Sequence, residues 1–180
     1  MEIINYLNDD QWPLIKTTHT REIVRAVVLD ENDNVALTKL YGDDMFGHRD
    51  YYELPGGGVK ENESKLFALQ REMEEELGYR IALIAEVGEV IDFYNLIGRE
   101  NHNYFYLARR KEFVGQRLEP NEKKLIQSIV YVPLNEAIKL YEAMSDEGVS
   151  VLVKKRELPI LLKAREIIEE KNRLERSIRD

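Results

Sequence analysis

The stretch from Gly57 to Tyr79, GGVKENESKLFALQREMEEELGY, decides how this chain folds. It opens with glycine and polar residues, which predict a loop. From about Ser64 to Leu77 the apolar residues recur every three or four positions, and this spacing predicts a helix with one buried face. Gly78 is placed to end the helix, because glycine adopts the left-handed backbone that is needed there. The apolar positions predicted to be buried are Leu66, Leu69, Met73 and Leu77.

The same helix carries four glutamates within five positions: Glu72, Glu74, Glu75 and Glu76. Each helical residue turns the side chain by roughly 100°, so three of these glutamates share one face and Glu74 points away from it. Like charges on one face repel each other, and a divalent cation would offset that repulsion. Carboxylate oxygens suit Mg²⁺ or Mn²⁺, so a cation site is one interpretation; a solvated acidic face is the alternative and, for this helix taken alone, the more common one.

The loop before the helix contains Pro55 followed by three glycines, Gly56, Gly57 and Gly58. Glycine lets the backbone approach a ligand closely, so we expect carbonyl or amide groups here to face a metal ion or phosphates. Arg71 lies beside the acidic face. It is expected either to pair with Glu63 and tie the loop to the helix, or to contact a phosphate directly.

The flanking sequence predicts an α/β fold with a mixed sheet and helices packed against it. Strands are predicted over residues 22–29, 35–40, 51–54, 81–94, 103–108 and 127–132. Helices are predicted over residues 133–144 and 158–176, with Pro159 in the first turn of the second. Residues 41–49 are expected to form a loop, while residues 149–155 have no clear pattern.

The composition excludes several classes of function. The 180 residues include no cysteine, which rules out disulfides and thiolate chemistry. A formal net charge of −8 argues against a nucleic-acid partner. The chain has no run of apolar residues long enough for a membrane span and no secretory signal pattern, so a cytoplasmic protein with a small-molecule partner is expected.

Together, the glycine loop and the helix resemble the signature of the Nudix hydrolase family. All seven fixed positions of that signature are matched at the required spacing, which has a chance probability on the order of 10⁻⁸ at a given start. The matched residues are Gly57, Glu63, Arg71, Glu72, Glu75, Glu76 and Gly78. The sequence departs from the usual pattern at Tyr79, where an aliphatic residue is common, and at Lys60, where relatives often carry an acid.

The resemblance implies a Nudix-type α/β/α sandwich with a mixed β-sheet. Residues 21–145 would form the Nudix domain, with residues 1–20 packed on it and residues 146–180 forming a C-terminal helical extension. The apolar stripe of the last helix is expected to pack on the domain, and a homodimer contact is the alternative. The family's activity implies Mg²⁺ or Mn²⁺ as cofactor and a nucleotide as substrate.

Carried over residue by residue, the resemblance also assigns roles in a site. The implied metal ligands are the Gly56 carbonyl, Glu72, Glu75 and Glu76. Glu63 and Arg71 would form a supporting ion pair, and Gly57 and Gly58 would face the substrate.

The general base is left open by the resemblance, since relatives take it from the helix or from a later loop. Glu72 is the first candidate within the signature. Glu122 is the candidate from the later loop, with Glu119 and Glu112 behind it, and a plain surface role is the alternative for each of these three.

Four aromatic residues are also candidates for substrate contact. Tyr94 lies sixteen residues after Gly78, a distance at which some relatives that act on dinucleoside polyphosphates carry a tyrosine. Phe46, Tyr51 and Tyr52 are candidates for stacking on a base. A core position is the alternative for all four, since aromatic residues in strands are more often buried.

The function implied by the resemblance is a metal-dependent hydrolase. It would cleave the pyrophosphate bond of a nucleoside diphosphate linked to another moiety, such as a nucleoside triphosphate, a nucleotide sugar or a dinucleoside polyphosphate. The alternative is a sensor with the same fold that binds a nucleotide without cleaving it.

Overall fold

Eight strands form one mixed sheet in the computed structural model, which describes residues 1–179. The strands are β1 (Ile3–Asn8), β2 (His19–Leu29), β3 (Asn34–Asp44), β4 (Gly47–Glu53), β5 (Gly56–Gly58), β6 (Tyr79–Tyr94), β7 (Arg99–Phe113) and β8 (Ile126–Pro133). The helices are α1 (Lys65–Glu72), α2 (Glu122–Leu125), α3 (Leu134–Glu142) and α4 (Gly148–Arg179).

The strand order is β1-β6-β7-β2-β3-β4, with β5 paired to β2 and β8 paired to β3. The pairs β1–β6 and β2–β7 are parallel, whereas β6–β7, β2–β3 and β3–β4 are antiparallel. The predicted α/β class with a mixed sheet is therefore confirmed. Residues 1–20, which gave no strand signal, contribute all of β1 and the first residues of β2.

The central strand β2 is buried on both of its faces, because its side chains alternate between two hydrophobic clusters. Val24, Ala26 and Val28 pack with α1 on one side. Val27 and Leu29 pack with α3 and α4 on the other side. Each fully buried valine or leucine contributes about 1.5–3 kcal/mol, so the sheet is stabilised from both sides and the expected α/β/α sandwich is confirmed.

Helix α1 begins where the sequence indicates, with the Ser64 hydroxyl accepting a hydrogen bond from the Phe67 amide. Its buried face differs from the prediction at Leu66, which is 55% exposed, so burial begins one turn later. After Glu72 the coil widens into a π-helical turn, Met73–Leu77, that ends at Gly78 with φ of 79°. The predicted single helix is thus two helical segments in succession.

The prediction of a loop over residues 41–49 is wrong. β3 continues to Asp44, and a two-residue turn at Met45 and Phe46 leads directly into β4. The cross-strand hydrogen bond from Arg49 Nε to Asp44 Oδ2, 2.7 Å long, stabilises this hairpin. Polar composition suggested a loop, but strand pairing determines the structure here, and it brings Phe46 and Arg49 towards the interior of the fold.

Helix α4 begins at Gly148, ten residues before the predicted start, so Pro159 lies in its interior and not in its first turn. The valine-rich first turns have low helix propensity, which is why residues 149–155 showed no clear pattern. Burial of Val149, Leu152 and Leu161 against the sheet outweighs that propensity. Within residues 1–179, no helix combines the length and the apolar character required to cross a membrane.

Glu157 fastens α4 to the rest of the fold. Its side chain is fully buried, and Oε2 accepts hydrogen bonds from the Leu54 amide at 2.7 Å and the Tyr141 hydroxyl at 2.6 Å. Its other oxygen, Oε1, accepts from Arg156 Nη2 at 2.6 Å and lies 3.7 Å from Arg25 Nε. One carboxylate therefore joins α4 to α3, to the end of β4 and to β2.

We expect Glu157→Ala to lower the free energy of unfolding by about 3–5 kcal/mol, because it removes a carboxylate from buried Arg156 and leaves the Leu54 amide and the Tyr141 hydroxyl without their acceptor. Denaturant unfolding monitored by circular dichroism measures this. The matched control is Glu170→Ala on the same helix, where the exposed pair with Arg173 contributes less than about 1 kcal/mol. Equal stabilities of the two variants would contradict the prediction.

Candidate active site

The glycine loop lies between the backbone of β2 and a glutamate of α1. Gly56 pairs with Arg25 and Gly57 with Val24. Gly56 has φ of 149°, and a Cβ there would overlap the carbonyl oxygen of Val24 and lie 2.7 Å from Arg25 Cα. A Cβ at Gly57 would lie 2.5 Å from the carboxyl carbon of Glu72. Only glycine allows both approaches at once.

Glu76 holds this loop from the buried side. Its Oε2 accepts a hydrogen bond from the Gly56 amide at 2.7 Å, and its Oε1 accepts from the Thr38 hydroxyl at 3.0 Å. Burial raises the pKa of Glu76 to about 8 in spite of these bonds. Glu76 lies in the π-helical turn, and its side chain is buried.

Arg71 connects the loop to the helix. Its Nε and Nη2 donate to the two oxygens of Glu63 at 2.7 and 2.8 Å, so the expected ion pair is present as a two-pronged fork. The hydrogen bonds from Arg71 are the main reason that the pKa of Glu63 falls to about 2. Nη2 also donates to the Gly58 carbonyl at 3.0 Å, and this fixes the end of the loop.

The same guanidinium lies between Glu72 and Glu75. Nη1 donates to Glu72 Oε1 at 2.6 Å and to Glu75 Oε2 at 3.0 Å. Among residues 1–179, the second oxygen of each carboxylate has no hydrogen bond from the protein. Glu74 points away, as predicted, and accepts from Gln70 Nε2 at 3.0 Å.

These carboxylates suit a hard divalent cation by their chemistry. Burial raises the pKa of Glu72, and the nearby charges of Glu75 and Glu122 raise it further against the opposing effect of Arg71. A cation would offset this cost, and the free oxygens of Glu72 and Glu75 are ligands of the kind that Mg²⁺ prefers. In the described part of the chain, no three acidic or histidine side chains are already gathered closely enough to hold a metal ion together.

A cavity of about 250 Å³ opens on the other side of the glycine loop, between the sheet and α4. The five arginines that line it are Arg21, Arg25, Arg49, Arg99 and Arg156. Arg25 and Arg156 share a single acceptor at its floor, Glu53 Oε1, at 2.6 Å each. The cavity is therefore cationic in a chain whose net charge is −8, and it favours an anionic ligand.

Of the three loop glutamates that were candidates for the general base, Glu122 lines this cavity and is half-buried. Its Oε2 accepts a hydrogen bond from the Glu119 amide at 2.7 Å, so Glu119 supports the turn around it. Glu112 is directed elsewhere, since it pairs with Arg80 on the surface.

Two of the four candidate aromatic residues also line the cavity. Phe46 and Tyr94 pack edge to face with 5.6 Å between ring centroids, and the Tyr94 hydroxyl accepts from Arg156. Tyr51 is buried in the core, and Tyr52 packs under the ammonium group of Lys39. The structure thus brings two of the four to the site.

The arginines of the cavity were missed in the sequence because they come from separate elements: β2, β4, β7 and α4. Their side chains share one face of the sheet only through its register, in which Arg21 lies opposite Asn101 and Tyr94 lies opposite Arg99. The one local signal was Arg25, a single charge inside the apolar run of β2, since such a charge is rarely buried without a partner.

Comparisons with known proteins agree with this geometry. The sequence model described as the NUDIX domain matches residues 19–152. A curated relative, the CMP-5'-(N-acetyl-N-hydroxy-3-aminopropyl)phosphonate hydrolase of Streptomyces rubellomurinus, is 31% identical over 117 residues, which are 63% of this chain and 52% of that protein. The chain therefore spans about half the length of this curated relative.

Solved structures show the same fold at low sequence identity. A NUDIX hydrolase from Nitrosomonas europaea superposes with a TM-score of 0.59 at 15% identity, over 84% of this chain and 89% of that one. An ADP compounds hydrolase gives a TM-score of 0.59 at 18% identity, over 85% of this chain and 75% of that one. Because the family model matches most of the sequence, and the fold agrees with it, the chain belongs to the NUDIX domain family.

Proposed function

We propose that the protein is a divalent-cation-dependent hydrolase that cleaves the P–O–P linkage of a nucleoside diphosphate joined to another moiety. The observation that carries this proposal is the position of the glycine loop, which has the carboxylates of Glu72 and Glu75 on one side and an arginine-lined cavity on the other. The Streptomyces relative, named for hydrolysis of a CMP-linked phosphonate, and the neighbour named for ADP compounds support the same class of substrate.

Glu72 and Glu75 would hold the cation through their free oxygens, and the Gly56 carbonyl would contribute from the loop. Glu76 would keep that loop in place from the buried side. Bound Mg²⁺ or Mn²⁺ supplies neutralisation of the phosphate oxygens and a lower pKa for the attacking water. Arg71 fixes the orientation of both carboxylates through its bonds to Glu72, Glu75 and Glu63.

Glu122 would accept the proton of the water that attacks phosphorus. Two observations support it over Glu72: it faces the cavity, and only one backbone hydrogen bond from the described residues reaches its carboxylate. Glu72 is less suited to this role, because Arg71 donates to it at 2.6 Å. A positioned base contributes about 10²–10⁴-fold to the rate.

We expect Glu72→Gln and Glu122→Gln each to lower kcat by at least about a hundredfold, and only Glu72→Gln to raise the Mn²⁺ concentration needed for half-maximal activity. Nucleoside monophosphate release from a panel of nucleoside triphosphates, nucleotide sugars and a CMP-linked phosphonate measures this. Chelation with EDTA should abolish turnover of the unmodified protein.

Glu74→Gln is the matched control, because it removes the same charge two residues away, on the side that contacts Gln70 and Arg80. Its kcat should stay within a few-fold of the unmodified value. The proposal fails if Glu72→Gln retains full turnover, or if Glu74→Gln loses as much as Glu72→Gln.

Gly57→Ala is expected to lower the activity of the protein, whereas Gly56→Ala is expected to lower its stability. At Gly57 the added methyl group displaces the flexible end of Glu72, so we expect a properly folded protein with kcat/KM lowered by about a hundredfold. At Gly56 the methyl group meets rigid backbone, so unfolding free energy should fall by about 2 kcal/mol or more. Thermal denaturation and the same hydrolysis assay measure both. Unchanged activity in Gly57→Ala would show that Glu72 need not touch the loop.

A further inference from the structure

Two of the five cavity arginines differ from the rest. Arg25, Arg49 and Arg156 each pair with a carboxylate within 2.6 Å. Arg21 and Arg99 have no ion pair with any carboxylate among residues 1–179. Arg21 is exposed, whereas Arg99 is half-buried. Since a half-buried arginine normally has an acidic partner, the Arg99 guanidinium calls for a separate explanation.

Both groups lie at the edge of the cavity next to the glycine loop. The Arg21 guanidinium covers Gly58 so closely that a Cβ at this glycine would overlap it. Arg99 is half-buried on β7 and lies over the Tyr94 ring, 5.8 Å from its centroid. Its Nε is buried and has no hydrogen-bond partner among the described residues.

The buried carboxylate of Asp92, whose charge acts on Arg99, is already engaged. Asn101 Nδ2 and Asn103 Nδ2 donate to its two oxygens at 2.5 and 2.9 Å, and Arg156 lies 3.7 Å away. Burial and the neighbouring charge of Arg21 lower the pKa of Arg99, while the charges of Tyr94 and Asp92 oppose this shift. An anion between the two guanidinium groups would offset their mutual repulsion.

We propose that Arg21 and Arg99 form a subsite for a phosphorus oxyanion of the substrate, and that this subsite binds independently of the metal. The inference rests on the proposed function for the identity of the substrate. The planar guanidinium groups match the oxygens of a phosphoryl or phosphonyl group, which can accept two hydrogen bonds from each arginine. The oxyanion is either one of the two phosphates of the cleaved linkage or a third, terminal phosphate.

Binding in metal-stripped buffer tests the subsite directly. Pyrophosphate and tripolyphosphate should raise the melting temperature of the unmodified protein, and their affinity by calorimetry should fall about tenfold or more in Arg21→Gln and in Arg99→Gln. Arg99→Lys should restore part of the loss. Circular dichroism spectra identical to that of the unmodified protein show that each variant is folded.

Arg109→Gln is the control, because it removes the same charge from the same strand at a position roughly 30 Å further along β7, at about 3.3 Å per residue. Its partners are Asp33 and the Asp30 carbonyl, outside the cavity. The proposal is overturned if the unmodified protein binds neither anion without metal, if the two cavity variants bind as tightly as the unmodified protein, or if Arg109→Gln loses as much.

Kinetics with UTP and UDP-glucose then identify which phosphate of the substrate occupies the subsite formed by Arg21 and Arg99. A rise in KM for UTP alone, with kcat little changed, places a terminal phosphate in the subsite, whereas equal rises for both substrates place a phosphate of the linkage there. Equal KM values for all variants would overturn the proposal. Absence of turnover in the unmodified protein would defeat the proposed hydrolysis and leave the metal-free binding experiment to decide on the subsite.

Discussion

The backbone of the glycine loop lies in direct contact with two helix carboxylates, and the rest of the site depends on this constraint. Gly57 leaves room for Glu72, while Gly56 donates its amide to Glu76. A side chain at Gly57 would meet the Glu72 carboxylate, and one at Gly56 would meet the backbone of β2. The two carboxylates come from consecutive helical segments, since Glu72 ends α1 and Glu76 lies in the π-helical turn that follows.

Much of the fold was predictable from the sequence, because the patterns that indicate it are local. The apolar run of β2, the helix after the glycines and the ion pair of Arg71 with Glu63 all depend on residues close together in the chain. The errors arose where tertiary burial outweighed local preference. The hairpin over residues 41–49 looked polar, and the valine-rich start of α4 looked unlike a helix.

The site itself was predictable only in part, and for a physical reason. Its acidic side lies on two consecutive helical segments, where spacing predicts Glu72, Glu75 and Glu76 on one face; in the structure Arg71 joins Glu72 to Glu75, while Glu76 bonds to Gly56 and Thr38. Its basic side is assembled by the register of β2 and β7 and by the docking of α4, none of which leaves a periodic trace. The widening of the coil after Glu72 was equally hidden, since no residue type marks a π-helical turn.

The sharing of Glu53 by Arg25 and Arg156 has a consequence for how the chain folds during its synthesis. Glu53 and Arg156 are 103 residues apart, so during synthesis the first leaves the ribosome long before the second. Until α4 emerges, the nascent sheet carries Glu53 with Arg25 alone, and Leu54 lacks the acceptor that Glu157 provides. Completion of the arginine-lined cavity is therefore coupled to the emergence of α4, and a polypeptide that stops before Val149 lacks the residues of α4 that line it.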